Sequence, residues 1–169
     1  MIRTKSGARL LGEMAVNCDI QVAACYPITP TTALTNELNK YYVDGKLPQY
    51  ITVESEFSAL SALQGASATG SRTFTTTGGQ GLLLMHEVLF ATAGMRFPIV
   101  MLVGNRAVSS PLNIWNDEQD TISQRDTGWI QIYCKSTQEA VDSLPQAFYV
   151  AEKILLPVMV CVDGHYLTH

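Results

Sequence analysis

At 169 residues the chain is long enough for one domain with a substantial core. Its 15 acidic and 11 basic residues give a formal net charge of −4. No Lys/Arg cluster or basic stripe interrupts the sequence, which argues against a nucleic-acid partner. Hydrophobic residues make up 47% and charged residues only 15%, a balance that predicts a surface partly covered by other subunits.

Taken in chain order, the N-terminus MIRTKSGARLLGEMAVNCD is broken by Glu13 and Asn17 and reads as an amphipathic helix over Gly7–Asn17, not as a signal peptide. Apolar runs near Ile20–Cys25, Tyr50–Val53, Thr73–Thr76, Ile99–Val103, Trp129–Tyr133 and Val158–Val162 predict strands. Most of these runs are continuous in polarity, as expected for strands covered on both faces. Helices are predicted between them at Thr32–Tyr42, Glu56–Thr69, Gln80–Gly94 and Thr137–Lys153. Residues 106–127, rich in Ser, Pro, Asn and Asp, read as a long loop with a helical turn, and loops of that length usually carry function. The alternation predicts an α/β fold with a parallel sheet between two helical layers. No run is long and apolar enough to span a bilayer, and the cysteines (Cys18, Cys25, Cys134, Cys161) form no C-x-x-C pair. No metal site is predicted on the chain, and buried, reduced thiols fit a cytoplasmic protein.

In parallel sheets ligands bind beyond the carboxyl ends of the strands, so the segments that follow each strand hold the candidates. In YPITPTT (Tyr26–Thr32) two prolines stiffen the strand exit; it is either a rigid connector with Thr31 or Thr32 as helix cap, or a pocket wall with the Thr29 hydroxyl turned inward. TGGQG (Thr77–Gly81) is either a close-packed turn or an anion cradle built from backbone N–H groups; its spacing matches neither a Walker loop nor a dinucleotide fingerprint. The helix after it is apolar nearly all round and is expected to be buried, with His86 as a satisfied core histidine. Arg106 is suited to grip a carboxylate or phosphate, or else to form an internal salt bridge with Asp117 or Asp120. Glu54 and Glu56 stand where a strand hands over to a helix. There an acid ordinarily complements the helix dipole, by a few tenths of a kcal/mol to about 1 kcal/mol. Glu56, however, opens a helix of small residues (Ser58, Ala59, Ser61, Ala62, Gly65, Ala66), where close packing would bury it and leave it in need of a specific partner.

The blocks YPITPTT, VESEFSA, TFTTTGGQGLLLM, GMRFPIV, NRAVSSPLNIWNDEQD, RDTGWIQIY and LPVMVCVDG, in this order, resemble the alpha subunit of the 2-oxoacid:ferredoxin oxidoreductases, in particular the N-terminal domain of the pyruvate group. The likeness runs from about Gly7 to His169. It implies the three-layer, parallel-sheet fold of the pyrimidine-binding domain of thiamin-diphosphate enzymes, with residues 1–169 as that single domain and the family's following domain absent. No G-D-G…N-N diphosphate signature is present, so the diphosphate and its Mg²⁺ would be held by a beta subunit. The resemblance also implies iron–sulfur clusters on partner chains, a gamma subunit, coenzyme A as co-substrate and ferredoxin as electron acceptor. It gives Glu56 the role of contacting N1′ of the aminopyrimidine, Thr29 and Arg106 those of binding the 2-oxoacid, and Pro27 and Ile28 that of lining the pocket. The expected enzyme, active only with its partner subunits, oxidatively decarboxylates a 2-oxoacid, pyruvate first, to acyl-CoA and CO₂. A branched-chain 2-oxoacid enzyme, a nucleotide- or phosphate-binding module built on TGGQG, and a non-catalytic subunit are the alternatives. Relatives often carry Ser or Ala before the Gln of TGGQG, where this chain has Gly79.

Overall fold

The computed structural model describes residues 5–168; His169, the last residue of the segment after the final strand, lies outside them. In chain order the elements are α1 (Gly7–Asn17), β1 (Val22–Cys25), α2 (Thr32–Val43), β2 (Gln49–Thr52), α3 (Glu56–Ala68), β3 (Thr73–Thr77), α4 (Gln80–Leu84), α5 (His86–Gly94), β4 (Val100–Asn105), α6 (Gln119–Ile122), β5 (Ile130–Cys134), α7 (Thr137–Ile154), β6 (Val158–Asp163) and α8 (Gly164–Thr168). The strands form one sheet in the order β2-β1-β3-β4-β6-β5, and every pair is parallel.

The period of two along each strand divides the core. Val100 and Leu102 of β4, with Val158, Val160 and Val162 of β6, face α1, α2 and α7. Met101, Val103, Met159 and Cys161 face the opposite layer, α3, α4 and α5, together with Leu60, Leu63, Leu82 and Leu89. The central strands β3, β4 and β6 are buried almost throughout, whereas the edge strands β2 and β5 are half covered. In β3 the buried residues are mostly threonines. Thr75 donates to the Ala24 carbonyl at 2.7 Å, while the hydroxyls of Thr73, Thr76 and Thr77 have no partner among the described residues. All four cysteines are reduced and buried, and burial pushes the Cys25 thiol up to about 12.

Two expectations change. The helix expected over Gln80–Gly94 is broken at Met85, and its outer face is open: Leu84 and Phe90 are exposed. His86, expected in the core, is exposed and shares a hydrogen bond between its ring Nδ1 and the Gln124 side chain. A uniformly apolar sequence hides which face meets the sheet, because periodicity carries no signal when every position is apolar. The long loop does contain one helical turn, α6, and a further short helix, α8, follows β6.

Phe74 is fully buried in β3 with its ring centroid 6.4 Å from that of Phe148 on α7, joining sheet and helix. Phe74→Ala is expected to destabilise the chain by about 3–5 kcal/mol, read from chemical denaturation.

Candidate active site

The strand order reverses direction between β1 and β3: β2 lies outside β1 on one side and the rest of the sheet lies on the other. In parallel sheets this is where a crevice opens for a ligand. The segments leaving those strands are YPITPTT after β1 and TGGQG after β3, with Glu56 entering from the edge strand β2 and Arg106 leaving β4.

Glu56 is the first residue of α3. Ser55 caps the helix, its hydroxyl accepting from the Ser58 N–H at 3.2 Å. Glu54 precedes the cap and is exposed; the Ser58 hydroxyl donates to it and holds its carboxyl below the usual carboxylate range. Only Glu56 turns inward, and it is 5% exposed. Its carboxyl lies directly on the Cα of Gly81. A Cβ at residue 81 would stand 2.3 Å from Glu56 Oε1 and 2.7 Å from the Thr77 hydroxyl. Among the described residues no group donates a hydrogen bond to this carboxyl, and the Thr77 hydroxyl beside it is also without a partner. A buried hydroxyl left unsatisfied beside an acid that receives no donor is uncommon, because a buried polar group that loses its hydration is ordinarily given a partner.

Arg106 is 9% exposed. Its side chain crosses Gly79, where a Cβ would stand 2.1 Å from Nε; the residue adopts φ 54° and serves as the N-cap of α4. One terminal nitrogen donates to the Gln80 side-chain carbonyl, and Nε is buried without a partner. Burial pushes the guanidinium pKa down, opposed by the negative charges of Asp120 and Glu56. The internal salt bridge, the alternative reading of Arg106, is absent among the described residues. Asp120 instead accepts from the Arg106 backbone N–H at 3.2 Å.

Asp120, on α6, is fully buried and takes four N–H donors. Oδ2 accepts from Gly79 N (2.8 Å) and Arg106 N; Oδ1 accepts from Asn105 Nδ2 (2.8 Å) and Thr121 N (2.9 Å). Burial pushes its carboxyl above the usual range, against the pull of these bonds. The sequence indicated Asp120 only as a possible ion-pair partner. Its central place came from the fold, although an Asp-Thr pair inside a polar loop, downstream of Asn-Arg, was the available signal.

The YPITPTT segment lies across the same edge. Pro30 and Thr31 are buried against Gly104 at the end of β4: a Cβ there would stand 2.8 Å from Pro30 Cγ and from Thr31 Cγ2. Thr31 occupies the cap position of α2 but caps nothing with its side chain; its hydroxyl donates to the Ile28 carbonyl at 2.9 Å. Tyr26, Pro27 and Thr29 are exposed and Ile28 is half-buried, so these residues form an open rim and not a closed wall.

The glycine loop is a close-packed turn. The Gly79 N–H is taken by Asp120 and the Gly81 N–H by the Gly78 carbonyl at 3.1 Å. Two of the donors that an anion cradle would offer are therefore occupied. A cleft of about 700 Å³ opens at the opposite edge of the sheet, lined by Lys46, Arg72 and Glu152 among others. There the Arg72 guanidinium donates to Glu152 Oε2 at 2.9 Å and also reaches the Cys18 carbonyl, so its charge is already matched.

Fold and site together define a ligand-binding α/β domain that presents, at the reversal of a parallel sheet, a buried acid and an arginine that have no ion-pair partner among the described residues. The family model described as pyruvate flavodoxin/ferredoxin oxidoreductase, thiamine diP-binding, matches residues 13–169, and the chain belongs to that family. The chain is 54% identical over 171 residues to pyruvate synthase subunit PorA of Methanocaldococcus jannaschii, covering 99% of this chain and 44% of that protein. The PorA subunit of Pyrococcus abyssi is 59% identical over 152 residues, covering 88% and 38%. Ketoisovalerate oxidoreductase subunit VorA of Pyrococcus furiosus is 47% identical over 165 residues, covering 97% and 42%. The chain thus spans less than half the length of these curated relatives. Among solved structures, a 2-oxoglutarate:ferredoxin oxidoreductase from Magnetococcus marinus, with 2-oxoglutarate, coenzyme A and succinyl-CoA bound, superposes with a TM-score of 0.88 at 22% identity, over 97% of this chain and 30% of that one. This likeness bears out the expected fold. No helix among the described residues is long and apolar enough to cross a membrane.

The seat of Glu56 generates a contrast between two glycines. Gly81→Ala is expected to cost about 1–3 kcal/mol, because the new methyl group meets Glu56 and Thr77. Gly65→Ala, in the interior of α3 with nothing within 4 Å of its added Cβ, is expected to stabilise the chain by about 0.4–1 kcal/mol. Parallel denaturation curves of the two variants check both.

Proposed function

We propose that the chain is the pyrimidine-binding part of a thiamin-diphosphate-dependent 2-oxoacid:ferredoxin oxidoreductase, with pyruvate as the substrate. The observation that carries this reading is the buried Glu56 side chain, seated on Gly81 with no hydrogen-bond donor among the described residues. An aminopyrimidine ring nitrogen is the kind of group that would complete it, because a protonated carboxyl can donate to that nitrogen and a carboxylate can take the proton back. The orphaned Thr77 hydroxyl beside it offers a second polar contact. The residues present therefore fit the cofactor.

Thiamin diphosphate, when bound, supplies the carbanion chemistry needed to break the bond between the carboxylate and the keto carbon. The chain's own residues perform the surrounding tasks. Glu56 is the group that would share a proton with the N1′ position of the ring. Arg106 presents its unmatched charge to the substrate carboxylate, and the buried, partnerless Nε marks the donor still to be satisfied. Thr29, exposed on the rim, offers its hydroxyl to the 2-oxoacid, and Pro27 and Ile28 line the mouth. The diphosphate and Mg²⁺ belong on a beta subunit. Iron–sulfur clusters on further subunits carry electrons to ferredoxin, and coenzyme A accepts the acyl group. The assembly we infer is cytoplasmic.

Pyruvate is favoured because relatives named pyruvate synthase reach 54% and 59% identity, against 47% for the ketoisovalerate enzyme. Comparing kcat/KM for pyruvate and 2-ketoisovalerate in the assembled complex decides between them. In that complex Glu56→Gln is expected to lower kcat by about 10²–10⁴-fold while the domain stays folded. Near-normal turnover would contradict the role of Glu56. Arg106→Ala is expected to raise the KM for the 2-oxoacid, and unchanged saturation would make Arg106 structural.

A further inference from the structure

Asp120 is the most completely bonded buried carboxylate of the site, yet it touches neither Glu56 nor the guanidinium of Arg106. It draws together residues from three separate segments: Gly79 of the glycine loop, Asn105 and Arg106 at the exit of β4, and its own helical turn α6. The network continues outward. Asn105 also donates to the Thr121 hydroxyl at 2.7 Å, and Thr121 is held from β5 by Tyr133 (3.0 Å, to its hydroxyl) and Gln131 (2.8 Å, to its carbonyl).

We propose that Asp120 is a positioning residue for substrate recognition: by binding the Gly79 and Arg106 amides through one oxygen it fixes the guanidinium across Gly79, and because its lone pairs are taken by N–H donors it leaves that guanidinium unneutralised. This rests on the reading of Arg106 as the acceptor of the substrate carboxylate.

The geometry separates two outcomes an aspartate beside an arginine can have. Paired side chain to side chain, Asp120 would satisfy Nε and a terminal nitrogen together, and a substrate carboxylate would have to displace it. Bonded to the backbone, it contributes a nearby negative charge that opposes the effect of burial on the guanidinium, while Nε stays without a partner among the described residues. The shared oxygen also sets the distance between Gly79, the surface on which the arginine lies, and the arginine's own backbone. The missing side chain at Gly79 completes the arrangement, since a Cβ there would collide with Nε.

Asp120→Asn tests the inference because it keeps the shape and reverses part of the hydrogen bonding. All four partners are N–H donors, so whichever way the amide turns, its NH₂ faces two of them. In the assembled enzyme the KM for pyruvate is expected to rise roughly tenfold with a change in kcat of less than about threefold. In an Arg106→Ala background Asp120→Asn is expected to add nothing further to KM, because it acts through the residue already removed. Independently of activity, amide hydrogen exchange at Gly79 and Arg106 is expected to be slow in the parent and to quicken in Asp120→Asn. Should Asp120→Asn fail to fold, Asn105→Ala, which removes one donor from Oδ1 and leaves the Oδ2 contacts, is expected to give a smaller KM rise that also vanishes in the Arg106→Ala background. An effect on KM that is additive with Arg106→Ala, or unchanged exchange at Gly79, would overturn the inference while leaving the Arg106 reading intact. An Arg106→Ala enzyme with unchanged pyruvate KM would overturn the Arg106 reading and the recognition role built on it. The exchange result then decides separately whether Asp120 holds the two amides.

Discussion

Removing a carboxyl group from water is unfavourable unless hydrogen bonds or charge replace the lost hydration. At the carboxyl edge of this sheet the chain buries two acids and treats them in opposite ways. Asp120 receives four N–H donors and joins three segments of backbone. Glu56 receives none among the described residues and rests on the bare Cα of a glycine. The first is completed by the fold and acts as scaffold. The second is incomplete within this chain, and an incomplete buried acid is a binding feature awaiting its counterpart.

The topology explains why these groups meet. Side chains far apart in sequence converge because parallel strands all deliver their C-terminal ends to one edge, and because the strand order reverses between β1 and β3. Glycines then make the convergence sterically possible. Gly81 admits the Glu56 carboxyl, Gly79 admits the Arg106 side chain, and Gly104 admits Pro30 and Thr31. The loop that first suggests phosphate binding is instead a seat for two functional side chains, with its Gly79 and Gly81 amides bonded inside the protein.

Much of this was legible in the sequence, for identifiable reasons. Continuous apolar runs located β4 and β6, and alternation of runs with helical stretches gave the parallel sheet. Glu56 could be singled out because it stands between a strand and a helix of small residues. What escaped was direction and bonding type. The stretch after TGGQG is apolar at nearly every position, so neither its break at Met85 nor its exposed face was written in its periodicity. Asp120 was named as a partner for Arg106, but no sequence pattern distinguishes a carboxylate that meets a guanidinium from one that meets the amide of the same residue. Whether YPITPTT is a rigid connector or a pocket wall also depends on the path of a proline-stiffened segment over its neighbours, and Thr29 is exposed on its rim.

The central claim is most directly tested by a structure of the complete assembly with thiamin diphosphate bound. A Glu56 carboxyl oxygen is expected within hydrogen-bonding distance, about 2.6–3.2 Å, of the N1′ nitrogen of the aminopyrimidine. A cofactor ring lodged elsewhere, with Glu56 paired to a cation of a partner subunit or opened to solvent, would contradict it.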